Sequence, residues 1–154
     1  MKRRIGAGLA SLALAGTITV GAAAPAFAEP LSKSEFKKQA NAICAEGNEQ
    51  IDAVADQVFA GLSEDQQPSP EQLIAFASAA IPNIKQQVED VAALEAPKSL
   101  QAKVKKLIKT VRAAVAKVEA DPSTLADEKN NPFAASDKQA KKLGLKECAG
   151  DEES

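Results

Sequence analysis

Two cysteines, Cys44 and Cys148, and a scatter of carboxylates are the side chains of this 154-residue chain whose types suggest chemistry. Histidine, tryptophan and tyrosine are absent, and the single methionine is the first residue. Nucleophilic machinery built on serine or cysteine takes histidine as its base, so that route is closed. Paired carboxylates remain as the formal alternative. Glu89 and Asp90 are neighbours, which do not face each other on a helix, and Glu46 and Glu49, three apart, form an acidic edge. A general acid also needs a buried carboxyl with a raised pKa. With phenylalanine only at 36, 59, 76 and 133 after residue 28, no aromatic-lined cleft is in view. No catalytic residue is assigned.

Cofactors are excluded by the same subtraction. Haem ordinarily takes His, Met, Tyr or a thiolate as axial ligand, and zinc takes imidazole or thiolate; after export none of these is available if the two cysteines pair. The Glu-x-x-His pairs of di-iron bundles are missing. Glu49, Asp52 and Asp56 fall on one helix edge where calcium would touch them, but a straight helix cannot wrap six to eight oxygens around an ion. They are read as solvated surface. No cofactor and no metal are expected.

What the cysteines do depends on where the chain goes. Lys2, Arg3 and Arg4 precede a weakly apolar, uncharged run from Ile5 to Ala24, and Ala26-Phe27-Ala28 presents small residues to a signal peptidase. Residues 1–28 are therefore read as a cleaved secretory signal. A membrane anchor is disfavoured by its Gly/Ala composition, and the general secretory route is preferred to the twin-arginine one because Ile5-Gly6-Ala7 fits the latter poorly. Three of the 19 cations lie in this leader and no acid does, leaving 16 cations against 21 acids, a net charge of about −5. In an exported chain an even pair of cysteines reads first as a disulfide, ahead of free or redox thiols or an intermolecular link. The C-x-x-C of a thioredoxin-like centre is absent. Closing so long a loop is worth about 4–5 kcal/mol in the chain-entropy model. Leu, Ile, Val and Phe make up only 27 of the 126 residues after the leader, and alanine supplies 23 more, so a staple matters.

The elements that must hold these residues are helices, since apolar spacing follows steps of three and four and nothing alternates like a strand. Ser32 and Glu35 form a capping box that opens a helix predicted from Lys33 to about Leu62, striped by Phe36, Ala40, Ile43, Gly47, Ile51, Val54, Val58 and Leu62. Gly47 costs up to about 1 kcal/mol against alanine in a helix interior and so marks close approach of another segment. A polar link over 63–69 leads to Ser69, Pro70 and Gln72, a second capping box with proline at the first helical position. That helix carries Leu73, Ala77, Ile81, Ile84, Val88, Val91 and Leu94, with Pro82 expected to bend it, and Ala96-Pro97 ends it. The third carries Leu100, Val104, Leu107, Ile108, Val111, Val115 and Val118 as far as Asp121-Pro122.

Residues 121–130 read as loop or frayed helix. Asn131-Pro132 reads as the cap and first turn of a short fourth helix with Phe133, Ser136, Ala140 and Leu143 inward. Gly144 is placed to take the left-handed conformation that ends it, Leu145 to fold back, and the chain to cross helix one near Cys44. The fold predicted is all-α, an up-down four-helix bundle over residues 29–149 closed by one disulfide, with 150–154 a mobile acidic tail.

Phe36-x-x-x-Ala40-Asn41-Ala42-Ile43-Cys44, the Ala-Pro pair before helix three and Ala140-Lys-Lys-Leu-Gly-Leu-Lys-Glu-Cys148 together resemble small secreted helical proteins of actinobacteria. The resemblance spans nearly all of the chain after the leader. It implies a disulfide-closed bundle, carries no activity with it, and transfers no catalytic residue.

Charge is segregated. Lys98, Lys103, Lys105, Lys106, Lys109, Arg112 and Lys117 face a single acid, Glu119, over residues 98–120, about +6 where the rest of the exported chain is about −11. One reading is an ordinary solvated face, another its pairing with acids of neighbouring helices. The functional reading is a docking face, with Lys98, Lys105, Lys109 and Arg112 meeting lipid head groups, envelope polyanions or an acidic protein. Nucleic acid is not expected as a partner, because the chain is acidic overall and has no Tyr or Trp to stack on bases. The sequence thus points to a secreted or cell-wall-associated monomeric interaction module. The alternative is a carrier whose Ala-rich interior and Pro82 bend leave room for an apolar molecule or lipid.

Overall fold

The computed structural model describes residues 30–63 and 66–150. The expected leader, residues 1–28, and nearly all of the acidic tail lie outside the described residues. Among those described, every regular element is helical: α1 (Lys33–Val58), α2 (Pro70–Ala93), α3 (Lys98–Ala120) and α4 (Ala134–Leu143). Each packs on the next, α1 on α2, α2 on α3 and α3 on α4.

Both capping boxes form. Ser32 Oγ accepts from the Glu35 amide at 3.2 Å while the Glu35 carboxylate accepts from the Ser32 amide at 3.1 Å. Gln72 reciprocates with Ser69 at 2.9 and 3.2 Å, and its Nε2 also donates to the Val58 carbonyl at 3.2 Å. The residue that starts α2 therefore satisfies one of the free carbonyls that end α1. That ending comes at Val58 and not at Leu62. Phe59 leaves the helix to lie 5.2 Å from the Phe76 ring, and Gly61 turns the chain with φ +82°. A ring pair across this corner replaces the last predicted turn.

Helix α2 runs on through Pro82, which is exposed. Residues 121–130 are more ordered than their composition suggests. They form two short 3₁₀ turns, Pro122–Ala126 and Glu128–Asn130, each opened by an aspartate whose carboxylate accepts a backbone amide, Ser123 for Asp121 and Asn130 for Asp127, both at 3.0 Å. The first turn packs on α2 and α3. Asn131 caps differently from expectation. Its Oδ1 accepts from the Phe133 amide at 2.8 Å, a turn that precedes the helix, so α4 starts at Ala134 and not at Pro132. Ser136, buried, returns its hydroxyl to the Phe133 carbonyl at 2.6 Å.

Gly144 adopts φ +76°, and the amides of Gly144 and Leu145 donate to the carbonyls of Lys141 and Ala140, both at 3.0 Å. These are the two bonds of a Schellman ending. They turn Leu145 inward to full burial and send the chain across α1. There Asn41, Cys44 and Asn48, at steps of three and four on one face, receive it. Asn41 donates to the Gly144 carbonyl and accepts from the Glu147 amide, both at 3.2 Å, Asn48 donates to the Glu147 carbonyl at 2.8 Å, and Cys44 bonds Cys148 with 5.0 Å between Cα atoms. The expected disulfide is thus present.

The larger core cluster gathers Phe36, Ala40 and Cys44 from α1, Val88 and Val91 from α2, Leu107 and Ile108 from α3, and Ala140, Leu143 and Leu145. A smaller one joins Ala77 and Ile81 to Val115 and Val118. Ala40 and Ala140 are wholly buried, so small residues bring helices close. Gly47 does the same toward α2: a β-carbon there would overlap the Gln87 side chain.

The caps set an acid dependence. Hydrogen bonds from Ser32 hold the Glu35 carboxyl below its ordinary range, and those from the Asn130 side chain and backbone do the same for Asp127. A carboxyl with a lowered folded pKa stabilises above its unfolded pKa, and that contribution is lost as pH falls through the folded one. Thermal stability is therefore expected to fall from about pH 5 toward pH 3. A melting series of wild type against the Glu35→Gln, Asp127→Asn double variant checks this; the variant should show the shallower acid limb.

Candidate functional site

Helix α3 distributes its cations around both sides of its buried stripe. At about 100° per residue, Lys98, Lys105, Lys109 and Arg112 share one edge, while Lys103, Lys106 and Lys117 lie on the opposite side. All are exposed. Lys105, Lys109 and Arg112, with one acid, Glu95, line a groove of about 750 Å³ between α3 and the end of α2, whose apolar lining comes from Leu94, Ala96, Val104 and Ile108. Lys98 shares the edge but not the groove. At a rise of about 1.5 Å per residue it stands roughly 10 Å along the helix from Lys105.

Lys98 also breaks a local rule. It opens α3, where Pro97 is the cap, no side chain caps and no acid sits in the first turn. A cation at a helix N-terminus costs about 0.3–1 kcal/mol. The connection compensates through the backbone, the Leu100 and Gln101 amides donating to the Pro97 carbonyl at 2.7 and 3.1 Å and Gln101 Nε2 to the Ala96 carbonyl at 3.2 Å.

Two cross-helix ion pairs divide the charge further. Arg112 bonds Glu89 at 2.8 Å, and Lys85 bonds Glu119 at 2.6 Å, so the only acid of α3 is engaged by α2. Each partner is about half exposed, and such pairs are worth about 0–1 kcal/mol. Pairing with a neighbouring helix therefore accounts for Arg112 and for none of the other three. Lys98, Lys105 and Lys109 make no ion pair among the described residues.

The carboxylates weighed for catalysis or calcium are dispersed. Glu89 serves Arg112, Asp90 accepts from Gln86 at 2.8 Å, and Glu46, Glu49, Asp52 and Asp56 are exposed along α1. Among the described residues no three carboxylate or thiol groups converge on a point that would hold a metal ion. Sequence reasoning placed the cations but not the groove beside them. Leu94 and Val104 were legible as core stripe, and nothing in their spacing says that the α2–α3 connection leaves them lining a groove.

These features define a small all-helical, disulfide-closed bundle with a cationic edge beside an apolar groove. Set against protein-family models, curated proteins and solved structures, the chain has no match. No helix among the described residues is long and apolar enough to cross a membrane.

Proposed function

We propose that this is an exported, non-catalytic binding module, an up-down bundle that works outside the cell or at its wall as a monomer and docks on anionic lipid head groups through the α3 edge. Its likeness to small secreted helical proteins of actinobacteria fits that setting. The observation that carries the reading is the groove in which Lys105, Lys109 and Arg112 stand beside Leu94, Ala96, Val104 and Ile108. A soluble polyanion would use the cations alone; an anionic amphiphile uses the cations for its head and the groove for part of its chain. Each cation close to an anionic surface contributes about 1 kcal/mol, and exposed charges separated by more than a Debye length are screened by salt.

Lys105→Glu, Lys109→Glu replaces two attractions by two repulsions. Binding to vesicles containing anionic phospholipid is expected to weaken by at least about 100-fold at low salt, without a change in the melting temperature. Co-sedimentation measures it. Retention of binding by the double variant contradicts the proposed face, and equal competition by a soluble polyanion moves the reading to a polymer partner.

A further inference from the structure

A second cavity, which shares the Ile108 wall with the cationic groove, lies where all four helices and the returning chain meet. Its volume is about 260 Å³, and its apolar wall includes Ile84, Val88, Leu107, Val111 and Phe133. Water in the liquid occupies about 30 Å³ per molecule, so this space suits roughly nine non-hydrogen atoms. The carrier reading from sequence looked for a void made by alanine and by the Pro82 bend. The cavity is lined by neither: branched residues form it, and Pro82 stands elsewhere on α2.

Its polar lining comes from Asn48, Gln87, Asn131, Ser136, Asp137 and Glu147, two of them acids, and no lysine or arginine lines it. Asn48 uses an amide N–H on the Glu147 backbone carbonyl and Gln87 uses one on Asn83 Oδ1 at 3.0 Å, which leaves the side-chain carbonyl oxygen of each, with its second N–H, to meet a ligand. Burying an anion here would cost its hydration with no cation to replace it. A donor-bearing head, uncharged or cationic, meets acceptors instead. Gly47 belongs to the same arrangement, since only a residue without a β-carbon leaves Gln87 its present place.

We infer that this cavity is a binding site for a short apolar molecule with a hydrogen-bond-donating head, a medium-chain alcohol or amine of about nine non-hydrogen atoms, held tail-inward among the helices with its head at Gln87, Asn48 and Glu147. The site has Ile108 in common with the groove of the α3 edge and no polar residue in common with it, and either stands if the other fails.

Isothermal titration of the oxidised protein with octylamine, 1-octanol and octanoate tests it. Octylamine and octanol are expected to bind saturably at one site, with octylamine at least about tenfold tighter than octanoate, the worth of one hydrogen bond to a charged group. Val111→Phe, which fills the cavity, should abolish binding. Gln87→Leu, a milder change, should weaken octylamine by about tenfold while leaving the melting temperature near wild type. Octanoate binding as tightly as octylamine, no binding of any of the three, or full binding by Gln87→Leu would overturn the inference.

Discussion

Replacing Cys148 by serine is expected to lower the free energy of unfolding by about 4–5 kcal/mol. The bond joins residues 104 apart and so restrains almost the whole unfolded domain. Few interactions stand behind it. Without it the returning chain is held by the buried Leu145 and Ala149 and by three hydrogen bonds to the Asn41 and Asn48 side chains, each worth about 0.5–1.5 kcal/mol. Urea unfolding of Cys148→Ser, and of wild type with and without reductant, measures the effect. The variant and the reduced protein should unfold together at a much lower midpoint. A midpoint unchanged by reduction would mean that packing alone closes the bundle.

Phe36→Ala is expected to cost about 3–5 kcal/mol, the usual range for emptying a fully buried aromatic site. Phe36 has no exposed surface and belongs to the cluster that holds Cys44, Leu143 and Leu145. In a core this rich in alanine few neighbours are long enough to fill the space. Phe36→Leu conserves more volume and should cost under about 1.5 kcal/mol. The two denaturation midpoints, compared at equal slope, decide the matter; similar losses for Ala and Leu would show that shape at this site matters little.

These two sites were among the legible ones. Phe36 follows a capping box whose Ser and Glu are recognisable three apart, and Gly144 before Leu145 announces a left-handed ending with an inward residue. Gly47 was read as a close approach, and the Gln87 side chain is what approaches. Local chemistry of that kind is written in neighbouring residues. The misses depended on partners far along the chain. Leu62 continues the α1 stripe in period, yet the helix stops at Val58 because Phe59 finds Phe76 and because Gln72 is there to take the terminal carbonyl. Residues 121–130 look featureless until Asp121 and Asp127 are seen as the openings of two turns.

The candidate site divides in the same way. Its cations were legible from composition alone, because seven basic residues against one acid in a single helix is a segregation that no fold is needed to see. How they divide was not: the seven look like one face opposite Leu100, Val104, Val111 and Val118, whereas they flank the buried stripe in two sets, Lys98, Lys105, Lys109 and Arg112 on one edge and Lys103, Lys106 and Lys117 on the other. Glu89 as the partner of Arg112, the groove beside Lys105 and the exclusion of Lys98 from it required the packing of α2 on α3. Asn41 and Asn48 as the seat of the returning chain depended likewise on where the Schellman turn sends it.

The most direct measurement is the binding of the oxidised wild-type protein to two vesicle preparations, one anionic and one zwitterionic, across a range of salt. Docking through the α3 edge predicts binding to the anionic vesicles alone, falling steadily as salt shortens the reach of exposed charges. Equal binding to both preparations, or anionic binding indifferent to salt, would contradict it.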